Sequence, residues 1–137
     1  MGLFFRSKPK AQGMQPHKNW PWTLNTGGEL WPGFDTWEMI VSELRELNLE
    51  DPDSFLILEQ KDPQDPQNYW FIQSAVNRAG PHPGWYTVEV GWGSEQGMGL
   101  RDRDIRTVEE VIPFFRAAYD RKAVDLSGFE DMSGMLG

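Results

Sequence analysis

Apolar and polar positions along this chain follow two rhythms, one helical and one alternating, and the changes between them mark out its elements. Trp37, Ile40, Val41 and Leu44 fall at i, i+3, i+4 and i+7, with Glu38, Ser42, Arg45 and Glu46 facing away, which predicts an amphipathic helix. Asp35-Thr36-Trp37-Glu38 has the form of a capping box, and Phe34 with Met39 is placed as its hydrophobic staple. Val108, Val111, Ile112, Phe115 and Tyr119 repeat the stripe behind a second box, Thr107-Val108-Glu109-Glu110. Pro113 inside that helix removes one backbone donor and predicts a bend.

Between the helices the rhythm is that of strands. Phe55-Leu56-Ile57-Leu58 is a continuous apolar run, as expected of a strand buried on both faces. Tyr69 to Val76 is aromatic and β-branched. Tyr86, Val88, Val90 and Trp92 alternate with Trp85, Thr87, Glu89 and Gly91 in a third strand. Turns rich in Pro, Gly and Asn join them, with a doubled Asp-Pro-Gln in the first, and such short links favour an antiparallel meander. Gly93 to Arg106 reads as a long loop. The fold expected is α+β, a single domain with an α-β-β-β-α core, an antiparallel sheet and both helices on one face.

The flanks differ from this core. Residues 1–19, with Pro9, Gly13 and Pro16 and no periodicity, read as a flexible basic arm. Residues 20–122 form the α+β domain, opening on Trp20, Trp22 and Trp31 among Pro and Gly, an irregular or strand-like cover that adds an edge strand. Residues 123–137 are an acidic tail punctuated by Gly and Ser; Leu126, Phe129 and Met132 step by three, so it either docks as a short helix or stays loose.

Composition narrows the function. With 137 residues and 39% hydrophobic content, the chain is long enough for one well-buried core. There is no cysteine, which removes disulfides, thiolate metal sites and thiol nucleophiles, and the two histidines, His17 and His82, cannot make a zinc site alone. No apolar run is long enough for a membrane span. The net charge of −8 argues against binding nucleic acid. The first twenty residues carry +4 and no acid, which leaves −12 on the remainder. Leu3-Phe4-Phe5 is too short for a secretory signal, and Arg6 stands where a myristoylation motif wants Ser or Thr. A cytoplasmic location is the expectation.

No stretch spells out a reaction. Gly91-Trp92-Gly93-Ser94-Glu95-Gln96-Gly97 lacks the spacing, the lysine and the following helix of a phosphate loop. Arg101-Asp102-Arg103-Asp104 alternates in sign without calcium-loop spacing, and Glu46, Glu50, Asp51 and Asp53 read as a helix end and turn. Ser74, Thr87 and Ser94 lack the strained elbow that would pair one of them with His82. No cofactor, metal or catalytic residue is expected. The seven Trp and eight Phe exceed what such a core requires. Trp85 shares a strand face with Thr87 and Glu89, and Tyr69 and Trp70 lie on opposite faces of theirs, so one of that pair faces outward. Partly exposed aromatics anchor protein interfaces. The candidate partner-binding residues are Trp70, Trp85, Glu89, Glu95, Asp102 and Asp104.

Tyr69-Trp70-Phe71-Ile72-Gln73, then Trp85-Tyr86-Thr87-Val88-Glu89-Val90, then the loop into Thr107-Val108-Glu109-Glu110 resemble two kinds of small bacterial protein over residues 35–121. One is the immunity proteins that neutralise polymorphic toxins. The other is the YbjN-like and type III secretion chaperone-like group, which binds peptides on an α-β-β-β-α core and adds strands and a helix that fewer than twenty tail residues here cannot supply. The resemblance implies no catalytic residues. The expected function is a non-enzymatic, acidic protein-binding module, an immunity-type inhibitor whose partner is a basic secreted toxin. A peptide-binding secretion chaperone is the alternative, and a small hydrolase-like enzyme stands third.

Overall fold

The computed structural model describes residues 15–27, 29–32 and 36–136. Strands β1 (Trp22–Thr26) and β2 (Glu29–Pro32) form a hairpin, followed by helix α1 (Trp37–Glu46). Strands β3 (Phe55–Lys61), β4 (Tyr69–Val76), β5 (Tyr86–Ser94) and β6 (Gly97–Ile105) then run as a meander into helix α2 (Val108–Tyr119). A two-residue strand β7 (Glu130–Asp131) and a 3-10 turn (Ser133–Leu136) close the chain. All seven strands join one antiparallel sheet in the order β2-β1-β3-β4-β5-β6-β7.

The meander has four strands between the helices where the sequence suggested three, because residues 97–105 are strand and not loop. Their alternation is hidden. The positions that face inward beside Val88, Val90 and Trp92 are Arg103, Arg101 and Gly99, so no apolar rhythm shows, although the backbone pairs with β5 along its whole length. Gly99 is also needed for packing, since a Cβ there would lie 2.1 Å from the Trp92 ring.

Burial alternates along the strands. Leu24, Leu56, Leu58, Ile72, Val88 and Val90 are fully buried and lie on one face of the sheet by register. They share a single cluster with Ile40 and Leu44 of α1 and Val111, Phe115 and Ala118 of α2, so both helices cover that face. Phe55 and Ile57 point the other way and are only half-buried, so β3 is buried on one face and not on two. Trp37 meets Tyr119 at 5.6 Å between ring centroids, and Arg45 bridges to Glu109 at 2.5 Å, joining the helices. Thr107 caps α2, its side chain accepting from the Glu110 N–H. The N-cap of α1 is Thr36, with no side-chain bond, and Phe34 and Asp35 lie outside the described residues.

Both flanks are packed where they are described. From Gln15 onward the basic arm is held: Pro16 is buried and the Gln15 amide donates to the Arg121 carbonyl. Residues 1–14 lie outside the described residues. The tail docks through buried Val124, through Phe129 against Phe114, and through β7, and it ends in a 3-10 turn. The chain has no helix long and apolar enough to cross a membrane among its described residues.

Candidate functional site: the open face of the sheet

The face opposite the helices carries no described element over it. Reading across the strands by register, one row runs Asn25, Ile57, Gln73, Glu89, Asp102, Glu130. A second runs Thr23, Glu59, Phe71, Gly91, Leu100, and a third Lys61, Tyr69, Gly93, Met98. Ala75, Thr87 and Asp104 make a fourth. Within these outward strand positions Lys61 is the only cation among the described residues.

Aromatic rings and glycines make the middle of this face. A Cβ on Gly91 would lie 2.3 Å from the Phe71 ring, and one on Gly93 would lie 2.4 Å from the Tyr69 ring. Each ring therefore lies flat across the glycine of the neighbouring strand, which restores the packing a glycine lacks. The two rings are 6.1 Å apart and within 19° of parallel, forming a platform at the surface.

Beside that platform stand three carboxylates on consecutive strands. Glu89 is directly opposite Asp102, and Asp102 is directly opposite Glu130. Like charges so placed oppose each other. Burial, and after it the Asp102 charge, pushes the pKa of Glu89 up, against the hydrogen bond donated by the Gln73 amide. Burial also pushes Asp102 up, followed by the charges of Glu130 and Asp104. The nearby arginines do not neutralise the row: Arg101 and Arg103 project to the other face, towards Asp131 at 3.6 Å and the Ser127 carbonyl at 3.3 Å.

At the β4–β5 turn the face ends in a second constellation. Trp85 stacks on His82 with centroids 4.0 Å apart, and His82 Nδ1 lies 3.1 Å from Asp104 Oδ2. Burial works against the Asp104 charge, but hydrogen bonds with His82, Asn77 and Thr87 outweigh it and hold the carboxyl below the usual range. This arrangement pins the turn; it has the Asp–His pair of a catalytic relay but no described nucleophile poised on it.

The structure thus brings together Glu89, Asp102 and Asp104, with Trp85 at the end of the same face. It does not bring in the other two predicted residues. Trp70 is 2% exposed, packed edge-on against Trp22 in the core, and Tyr69 takes the outward position instead. Glu95 is exposed in the β5–β6 turn, beyond the rows. Phe71, Gln73 and Glu130 were not legible as site residues. Phe71 and Gln73 share Tyr69's side of β4, so that alternation was the available signal; Glu130 enters only because the tail docks. The acids near Asn48 build their own turn, where Asp51 N donates to Asn48 and Asp53 N to Asp51. No group of side chains suited to a metal ion occurs among the described residues. Compared with known proteins, the chain matches no family model, no curated protein and no solved structure.

Proposed function

We propose that this is a non-enzymatic protein-binding module, an immunity-type inhibitor that neutralises a basic toxin in the cytoplasm. The observation that carries the reading is the row Glu89–Asp102–Glu130, three carboxylates in register on a sheet face that no described element covers, beside a flat aromatic platform. Self-repulsion there is relieved when a partner's Arg or Lys settles among them, so docking gains twice: from attraction to the incoming cation and from removal of the strain between the acids. The rings of Tyr69 and Phe71 supply apolar area and a stacking surface for a guanidinium. The wider negative field of the chain draws a basic partner in before contact. A chaperone would hold its peptide on an apolar groove and bind in a salt-tolerant way; this face predicts salt-sensitive binding.

The test is affinity purification from the source cells at low and high salt, followed by co-expression of the recovered protein with this one. A basic partner that elutes with salt, is toxic alone and is silenced by the wild type but not by Glu89→Arg/Asp102→Arg supports the proposal. Recovery of no specific partner at low salt, or protection that survives the charge reversal, refutes it.

A further inference from the structure

A second surface lies at the opposite end of the β4–β5 pair from the His82 turn. Residues 15–20 form one wall of a groove of about 580 Å³, and Tyr69, Trp70, Trp92, Gly93 and Ser94 form the other. The first wall is irregular chain, yet it is fastened from behind. Gln60, fully buried, spends its amide on it: Oε1 accepts from His17 N at 2.8 Å, and Nε2 donates to the carbonyls of His17 at 2.7 Å and Trp20 at 3.1 Å. Arg121 donates to the same two carbonyls, at 3.3 Å and 2.9 Å. It does so from a left-handed backbone conformation, φ 56°, just past the end of α2, where glycine is the usual residue. Two backbone bonds that close the helix hold that conformation, from Arg121 N–H to the Ala118 carbonyl at 2.8 Å and from Lys122 N–H to the Ala117 carbonyl at 2.9 Å. His17 stacks on Trp20 at 4.3 Å, within 6° of parallel, so the indole is fixed too.

The charge of the lining is one-sided. Trp20, Tyr69, Trp70 and Trp92 give it aromatic walls, Gln15, Asn19 and Ser94 give it neutral polar groups, Lys18 gives an exposed ammonium, and no carboxylate lines the groove. In a chain of net charge −8 that is an exceptional surface. It suits a ligand that carries negative charge and can lie against aromatic rings. A polyproline II segment fits: its prolines have no N–H, its carbonyls point outward, and its extended form is set before binding. We propose that this groove docks an extended, proline-containing peptide segment that carries an acidic residue at the Lys18 end. The groove shares Tyr69 and Gly93 with the aromatic platform but none of the carboxylates of the acidic row, so its docking would hold if that row proved idle.

The experiment is an intrinsic tryptophan fluorescence titration of the full chain. The probes are a proline-rich peptide ending in two aspartates, the same peptide with alanine for proline, the same peptide ending in two lysines, and a chito-oligosaccharide. The expected result is saturable binding of the first probe alone, weakened about tenfold or more by Trp20→Ala, as for an anchoring aromatic. Lys18→Glu, an exposed change that leaves the fold alone, should shift the preference to the lysine-ended peptide. No saturable binding of the first probe, tighter binding of the oligosaccharide, or a preference that Lys18→Glu does not move would overturn the proposal.

Discussion

On its helix-covered side the sheet presents Leu24, Leu58, Ile72 and Val90, none of them accessible to solvent. On its other side the same strands present Ile57, Phe71, Gln73 and Glu89, all partly exposed. The inner row continues to Arg101, which turns outward at the sheet edge to Asp131; the outer row continues to Asp102 and Glu130, which make no ion pair among the described residues. The inner face is explained by stability alone. The outer face gains less: its carboxylates stand opposite one another, and the pKa values of Glu89 and Asp102 are raised. The outer face is thus the acidic, partly exposed one, and it is the face that the proposed docking would use.

The largest effect should separate the faces by truncation. Leu58→Ala removes a fully buried side chain at the centre of the sheet and should destabilise the fold by about 3 kcal/mol. Ile57→Ala, its outward neighbour, should lower stability by no more than about 1 kcal/mol. Urea unfolding of the two variants measures both. Equal losses would mean that the outer face is covered after all and would end the comparison.

Next in size is the effect of charge. Folding raises the pKa of Glu89 and Asp102, so the folded chain keeps those protons to higher pH than the unfolded chain does. Their contribution to stability therefore falls as pH rises from the ordinary carboxylate range through the raised values. Glu89→Gln/Asp102→Asn should stabilise the protein at neutral pH, by about 0.5 kcal/mol, and have no such benefit in acid. Thermal melts across the pH range would show this. A double variant that is less stable at neutral pH would mean that these carboxylates are already satisfied.

Asp104 should behave in the opposite way and more weakly. Its folded pKa is lowered, so its contribution is present above the ordinary aspartate pKa and is lost as pH falls through the lowered one. Asp104→Asn should cost less than about 1 kcal/mol at neutral pH, since the pair with His82 is partly exposed. A His82 ring resonance that does not move in Asp104→Asn would show that the pair does not hold in solution.

Much of this organisation could be read from the residues. The stripes of both helices and the alternation of Tyr86 to Trp92 carry their burial directly, because one face of each meets the core. Strand β6 was illegible for a physical reason: it is held by backbone hydrogen bonds to β5, and its inward positions are a glycine and two arginines. The outward set of Glu89, Asp102 and Asp104 could be guessed from the third strand's pattern, but their meeting across strands depends on that unseen pairing. Trp70 and Tyr69 show the remaining limit. Alternation says that they point to opposite faces, and only the position of the helices says which one is covered.

Docking of cationic groups on the outer face is tested most directly by backbone-amide NMR. A short arginine-rich peptide titrated at low salt should shift the amides around Phe71, Gln73, Glu89 and Asp102, spare those of α1 and α2, and lose its effect in Glu89→Gln/Asp102→Asn. Shifts scattered over the whole acidic surface, or shifts at this face that persist in the double variant, would contradict it.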